Sequence, residues 1–223
     1  MSNIAKLLRE AANGTPNQDR IQEIIDSIIQ SPDLLIEKDE SGIPLVHLLA
    51  LMNLLHAVRD LLNGRLLETT WDLQGWTLAH TAAFTGCGED IRELIGMNKR
   101  FHFWKDKSGR TPVFIAAQNK HLDQFAVEPS HLVIRDYLQS TPLHAAALAA
   151  CLHQVADLVT PEMLLIINLD ELTVVQLLER IPQEMPDTLK NAVWEADFLT
   201  NPKKRTVENV LEHAGIDPKL IFG

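Results

Sequence analysis

Gly75 to Gly86 reads GWTLAHTAAFTG. One His sits among small residues with Thr just ahead of it, a pairing that serves either nucleophilic chemistry or a local hydrogen-bonding device. Sliding the stretch along the chain as a template decides between them. It recurs as DESGIPLVHLLA from Asp39, DLQGWTLAHTAA from Asp72, DKSGRTPVFIAA from Asp106 and DYLQSTPLHAAA from Asp136. Two weaker copies follow, NLDELTVVQLLE from Asn168 and NPKKRTVENVLE from Asn201. The copies start 33, 34, 30, 32 and 33 residues apart. Thr77, Thr111, Thr141, Thr173 and Thr206 hold one column, and Pro44 is its exception. The His column reads His47, His80, Phe114, His144, Gln176, Asn209. A catalytic His is expected once, beside unique partners; a His repeated beside a repeated Thr reads as structural.

Composition narrows the class. The chain has 223 residues, enough for a sizeable core, with 46% apolar and 22% charged residues, the balance of an ordinary globular protein. Aromatics are 5%, few for a sandwich or barrel, and the prevalence of Leu, Ile and Ala favours helix. MSNIAKLLREAANG lacks the apolar stretch of a signal peptide, and no apolar run is long enough for a membrane span. The net charge of −10 and pI near 5.3 argue against generic binding to nucleic acid or an anionic membrane. Two cysteines, Cys87 and Cys151, are too few for a disulfide scaffold, so an intracellular, cytoplasmic protein is expected.

Each column has a physical task. Asp or Asn opens a turn by accepting backbone N–H bonds, and Gly42, Gly75 and Gly109 permit a positive φ. Thr is an N-cap candidate, and Pro after it suits a first helical turn. The pairs Ala82–Ala83, Ala116–Ala117 and Ala146–Ala147 let neighbouring helices approach closely. A second helix is expected in each unit, at EDIRELI (89–95), LDQFAV (122–127) and HQVADLV (153–159), from apolar spacing of three and four. Pro32, Pro129 and Pro161 fall between that helix and the next turn, where they can end one element without breaking another. IAKLLREAA and DRIQEIIDSIIQ predict an N-terminal helical pair, and TVENVLEHAG a last helix stopped near Gly215 and Pro218.

The period and columns resemble the ankyrin repeat, with STPLHAAALAA (140–150) the tightest match. The likeness covers roughly Pro32 to Gly215; the fifth copy has lost Gly, His and the Ala pair, and the sixth keeps only Asn and Thr. The resemblance implies an all-α, ankyrin-type helical-hairpin solenoid with short turn fingers. It is one domain over 1–223, with capping helices in 1–31, repeats in 32–199 and a cap in 200–223. It also implies a monomeric, non-enzymatic protein-binding module. Such a module serves as adaptor, inhibitor or effector, including one exported into another cell, and grips a protein partner in the concave groove of fingers and inner helices.

Other chemistry finds little footing. Helix layers sit roughly 10 Å apart, too far for His47, His80 and His144 to share an ion whose ligands lie at about 2 Å. Cys87 and Cys151 fall in one column two layers apart, beyond disulfide reach, and read as buried filler or, alternatively, reactive thiols. No phosphate loop, nucleophile elbow or zinc spacing occurs, so no metal or cofactor is expected. Lys203 to Arg205 reads as a solvated finger or, less simply, a nuclear address.

Function is therefore sought on the fingers. The six fingers (38–43, 71–76, 105–110, 135–140, 167–172, 200–205) hold eight Lys or Arg and seven Asp or Glu, a net of +1 against −10 for the chain. Trp76 and Arg110 are the leading partner-binding candidates, surrounded by Trp71, Lys105, Arg135 and Tyr137, because Trp, Tyr and Arg dominate binding hot spots. Their chemistry implies a partner surface that is apolar with acidic groups nearby. Simple packing is the competing reading for the Trp residues, and the favoured one for Trp104, whose column also holds Ile134 and Ile166. A second function class is an acidic nucleic-acid mimic that inhibits a basic protein through outer-helix residues such as Glu89, Asp90 and Glu93.

Overall fold

A computed structural model describes residues 8, 18–71, 74–97, 99–181, 183–201 and 212–215. The expected first N-terminal helix apart from Leu8, the sixth finger beyond Asn201 with Lys203–Arg205, and most of the expected last helix lie outside these residues. Helices dominate. In chain order they are α1 (Gln18–Gln30), α2 (Leu45–Leu51), α3 (Gly64–Leu67), α4 (Leu78–Thr85) and α5 (Gly88–Met97). They continue with α6 (Pro112–Asn119), α7 (Pro142–Leu148), α8 (Pro161–Leu164), α9 (Val174–Arg180) and α10 (Asp187–Thr200). Short 3-10 turns fill the gaps between them. The strands among the described residues are β1 (Thr70–Trp71) and β2 (Trp76–Thr77), an antiparallel pair two residues long.

The elements form two layers. In one, α2, α4, α6, α7 and α9 each touch the next. In the other, the 3-10 turn Leu55–Leu61, α5, the turns Leu122–Gln124 and Leu152–Leu158, and α10 follow one another, with α1 packed on Leu55–Leu61. Ala82, Ala83, Ala116, Ala117, Ala146 and Ala147 are all fully buried, and their small side chains allow the first-layer helices to close on one another. Ile24 and Ile28 on one stripe of α1, together with Leu8, cover the N-terminal end of this core.

Local chemistry sets the helix starts. The Thr111 hydroxyl accepts from Phe114 N at 3.2 Å and that of Thr173 from Gln176 N at 3.2 Å, while Pro112 and Pro142 occupy the first turn of their helices. The glycine column is left-handed throughout: φ is 80° at Gly42, 72° at Gly75 and 79° at Gly109, and 58° at both Gln139 and Glu171, where no glycine is present.

The second elements depart from expectation. Of the three helices expected at 89–95, 122–127 and 153–159, α5 alone forms as a full helix. The expected helix at 122–127 shrinks to the three-residue turn Leu122–Gln124, and that at 153–159 is a 3-10 segment broken at Val155 (φ −130°, ψ 18°). Spacing explains the first case. The step from Asp72 to Asp106 is 34 residues and that from Asp106 to Asp136 is 30, and the loss falls on the second element. Glu128 is then forced into extended backbone (φ −112°, ψ 157°) by the proline after it.

The prolines are also corrected. Pro32, Pro129 and Pro161 do not merely end an element; each opens a third short segment, Pro32–Ile36, Pro129–Val133 and α8. Units without proline there make α3 and the turn Lys99–Phe103 instead. The units of the first four fingers thus have three helical pieces rather than two, while the fifth has α9 and α10. The third pieces also touch: the His102 and His131 rings stack with centroids 4.0 Å apart.

A column unseen in the sequence pins the second layer. Gln124 Oε1 accepts from Gly88 N (3.2 Å), Gln154 Oε1 from Leu122 N (3.1 Å) and Gln183 Oε1 from Leu152 N (3.3 Å). The amide groups of Gln154 and Gln183 also donate to the carbonyls of Lys120 and Ala147. One side chain therefore satisfies a buried N–H at the start of the preceding unit's second element, which has no partner within that element.

Candidate binding cleft along the turn fingers

Four fingers among the described residues are closed by their own Asp or Asn. Asp39 Oδ1 accepts from Ser41 N and Ile43 N at 2.8 and 2.9 Å, and Asp106, Asp136 and Asn168 repeat this double acceptance. Successive fingers are joined by backbone bonds: Lys107 N donates to Gln74 O (2.8 Å), Tyr137 N to Ser108 O (3.1 Å) and Leu169 N to Leu138 O (3.0 Å). Burial pushes the Asp106 carboxyl up, but backbone and side-chain bonds from Arg110 outweigh it and hold the group below the usual range.

The His column locks fingers to helices. His80 Nε2 lies 3.1 Å from the Arg110 carbonyl, which can only accept, so Nε2 carries the proton. Nδ1 is then free to accept from the backbone N (3.2 Å) and hydroxyl (2.8 Å) of Thr77. His144 does the same with Thr141 and the Leu172 carbonyl. Burial lowers the His80 pKa to about 4, and lowers that of His144 as well. His47 differs. Pro44 offers neither N–H nor hydroxyl, so Nδ1 faces the Thr81 hydroxyl (2.8 Å) and Nε2 the Thr69 carbonyl (3.1 Å). Its pKa also falls to about 4, chiefly through burial.

The expected partner-binding residues occupy the fingers in several ways. Trp76 and Arg110 are brought together, on a shared carboxylate: Trp76 Nε1 donates to Asp106 Oδ2 (3.2 Å), and Arg110 Nε and Nη2 reach the same oxygen at 2.9 and 2.8 Å. The Trp76 ring is half-buried against Phe84, 5.4 Å between centroids. Lys105 Nζ donates to the Arg135 carbonyl (2.7 Å), and Arg135 Nη1 to the Ile167 carbonyl (3.1 Å), so these two brace one finger on the next. Tyr137 is 64% exposed and lies over Gly109. Trp71 stands on β1 opposite Trp76, and its side chain is outside the described residues. Trp104 packs edge-on against Phe101 at 4.6 Å.

Sequence reasoning missed the apolar residues beside them. Leu138 (64% exposed) and Leu169 (63%) stand at fingertips where other copies carry Glu40, Lys107 or Ser108. Leu148 (58%) ends α7. It belongs to a column of exposed first-layer residues that reads Leu51, Phe84, Gln118, Leu148, Arg180. A cleft of about 410 Å³ opens between finger and helix here, lined among others by Leu138, Leu148, Ala145, Ala149, Gln118 and Asp170. At the Leu138 position, polar in the other copies (Ser41, Gln74, Ser108, Asp170), the break to apolar was the available signal; the Leu169 position also holds Leu73 and Tyr137 and gives none.

A scan of protein-family models finds no match for the chain, and neither does a search of curated proteins. No helix among the described residues is long and apolar enough to cross a membrane. On the second layer, Glu89 pairs with Arg92 at 2.7 Å and Glu93 with Arg59 at 4.0 Å. Cys87 and Cys151 are buried and unbridged, and burial raises both thiols, Cys151 to about 11. The Cys151 thiol donates to the Ala117 carbonyl of the preceding unit at 3.2 Å.

Proposed function

We propose that the chain is an ankyrin-type helical-hairpin solenoid that acts as a non-enzymatic, intracellular protein-interaction module. Its partner, a protein, lies in the concave groove formed by fingers and first-layer helices. One observation carries the reading: large apolar side chains stand exposed around a cleft whose walls are fixed by finger-to-finger and His-to-carbonyl hydrogen bonds. Exposed apolar groups on a rigid frame are the physical mark of an interaction surface. The buried His80, with both ring nitrogens occupied, supports a structural rather than catalytic role for the most chemical stretch of the sequence. The acidic-mimic reading has less support, because the Glu89 and Glu93 carboxylates are partly neutralised by arginines.

The test is site-specific photo-crosslinking in cell extract, with the photoreactive residue placed at Phe84 or Leu148 on the first layer, or at Asp90 or Glu93 on the second. Discrete protein adducts from the first pair alone are expected. Adducts confined to Asp90 and Glu93 overturn the groove reading and favour the mimic.

A further inference from the structure

The cleft carries an electrostatic sign opposite to the one implied by Trp76 and Arg110. The Arg110 guanidinium is paired with Asp106, and its Nη1 also reaches the cleft-lining Gln118 Oε1 at 3.4 Å, so this charge is balanced where it meets the cleft; the cations of Lys105 and Arg135 reach carbonyls of neighbouring fingers and do not line the cleft. On the cleft wall stands Asp170, whose carboxylate has no ion-pair partner among the described residues, with exposed Glu171 next to it. Arg180, the next residue of the helix column, does not line the cleft. Uncompensated charge there is therefore negative, beside the apolar surface of Leu138, Leu148 and Leu169. A second copy of this chain is a poor occupant, since a net charge of −10 on each copy opposes association. A cleft of about 410 Å³ is near the low end for ligand sites, about 300–1,000 Å³, and suits a few inserted side chains rather than a folded face.

We infer that the cleft between the fourth and fifth fingers binds a linear basic segment of a partner protein. A large apolar side chain of that segment seats against Leu138 and Leu148, and a neighbouring Lys or Arg pairs with Asp170 and Glu171. The inference rests on the groove-binding reading above and narrows it to one end of the groove and one charge class of partner. Apolar burial supplies affinity, while the carboxylates select the partner and speed encounter in a salt-dependent way.

The experiment is a selection from a phage library of random dodecapeptides on the immobilised full chain, followed by fluorescence anisotropy with labelled synthetic versions of the enriched sequences. The enriched peptides are expected to carry Leu, Phe or Trp with Lys or Arg within one helical turn. Leu148→Ser, at a position 58% exposed where unchanged circular dichroism is expected, should weaken them by about thirtyfold or more, as for a binding hot spot. Asp170→Lys should weaken them at low salt and less at high salt. Three results overturn the inference while sparing the groove reading. One is enrichment of acidic peptides. Another is binding lost with Trp76→Ala or Arg110→Ala but kept with Leu148→Ser and Asp170→Lys. The third is a concentration-dependent dimer that Leu148→Ser abolishes. Peptides insensitive to every one of these substitutions, or no enriched sequence at all, overturn both.

Discussion

Gly109→Ala isolates what the close approach of two fingers contributes to stability. Gly109 has φ 79°, and a Cβ there would lie 2.7 Å from Tyr137 Cδ1 and 2.9 Å from Tyr137 N. The Tyr137 ring can swing away, but its backbone N is held on the Ser108 carbonyl at 3.1 Å and must be displaced. The left-handed conformation costs an L-residue about 1–2 kcal/mol, of which about 0.5–1 is offset because alanine has less unfolded-state freedom to lose. Loss of the Tyr137–Ser108 bond adds about 0.5–1.5 kcal/mol. The total is near 2 kcal/mol, or about 4–8 °C in melting temperature at about 2–4 °C per kcal/mol for a chain of this size. Gly42→Ala is the internal control. Its φ is 80° but nothing lies within 4 Å of the added methyl, so only the conformational part remains, about 0.5–1 kcal/mol. Calorimetric melts of both variants give the difference directly. If Gly109→Ala melts no lower than Gly42→Ala, the finger contact carries no stability and the reasoning fails.

Three further outcomes follow from the same geometry. The folded His80 resists protonation down to about pH 4 while the unfolded chain takes a proton near 6.5, so its stabilising contribution is present above pH 6.5 and lost as pH falls through that window. The full loss is about 3 kcal/mol. His80→Gln, which can cap as Gln176 caps Thr173 (2.9 Å), should flatten the dependence of the urea midpoint on pH between 7 and 4.5; an unaltered slope contradicts the assignment. Gln154→Ala strips partners from Leu122 N and Lys120 O and should cost about 1–3 kcal/mol, read as faster hydrogen exchange at Leu122 with α9 unaffected. Ala150, an alanine at φ 56°, should gain up to about 1 kcal/mol on change to glycine, and a lower midpoint counts against it.

What the sequence disclosed was what its chemistry completes locally. Asp106 closing its own turn, Thr111 capping α6 and the left-handed Gly109 each depend on residues a few positions away, so their spacing announces them. The His column was legible as a column, yet the acceptor of His80 Nε2 lies 30 residues on, at the Arg110 carbonyl, and no spacing rule reveals it. The Gln124, Gln154 and Gln183 column stayed hidden for the same reason, since each works on the unit before it. The third helical segment is not legible from proline alone, because its fixed φ suits both the end of one element and the first turn of another, as at Pro129. Trp76 and Arg110 stand on successive fingers, and what joins them is the second oxygen of Asp106, a reach 30 residues back to Trp76 that the Asp column does not reveal. Leu138 departs from a column otherwise polar (Ser41, Gln74, Ser108, Asp170), a signal of lost polarity rather than of aromatic or cationic character, while Leu169 shares its column with Leu73 and Tyr137 and carries no such signal.

The bonds that join one unit to the next, such as His80 to Arg110 and Leu122 to Gln154, span 30 and 32 residues and tie adjacent units together. The molecule therefore has a mechanical grain. A load applied between its ends runs through these fastenings in series, so the weakest gives way first while the others hold. Freed chain lengthens by about 3.3–3.6 Å per residue, so each released unit of roughly thirty residues adds about 100 Å of slack. Under tension such a chain yields in instalments.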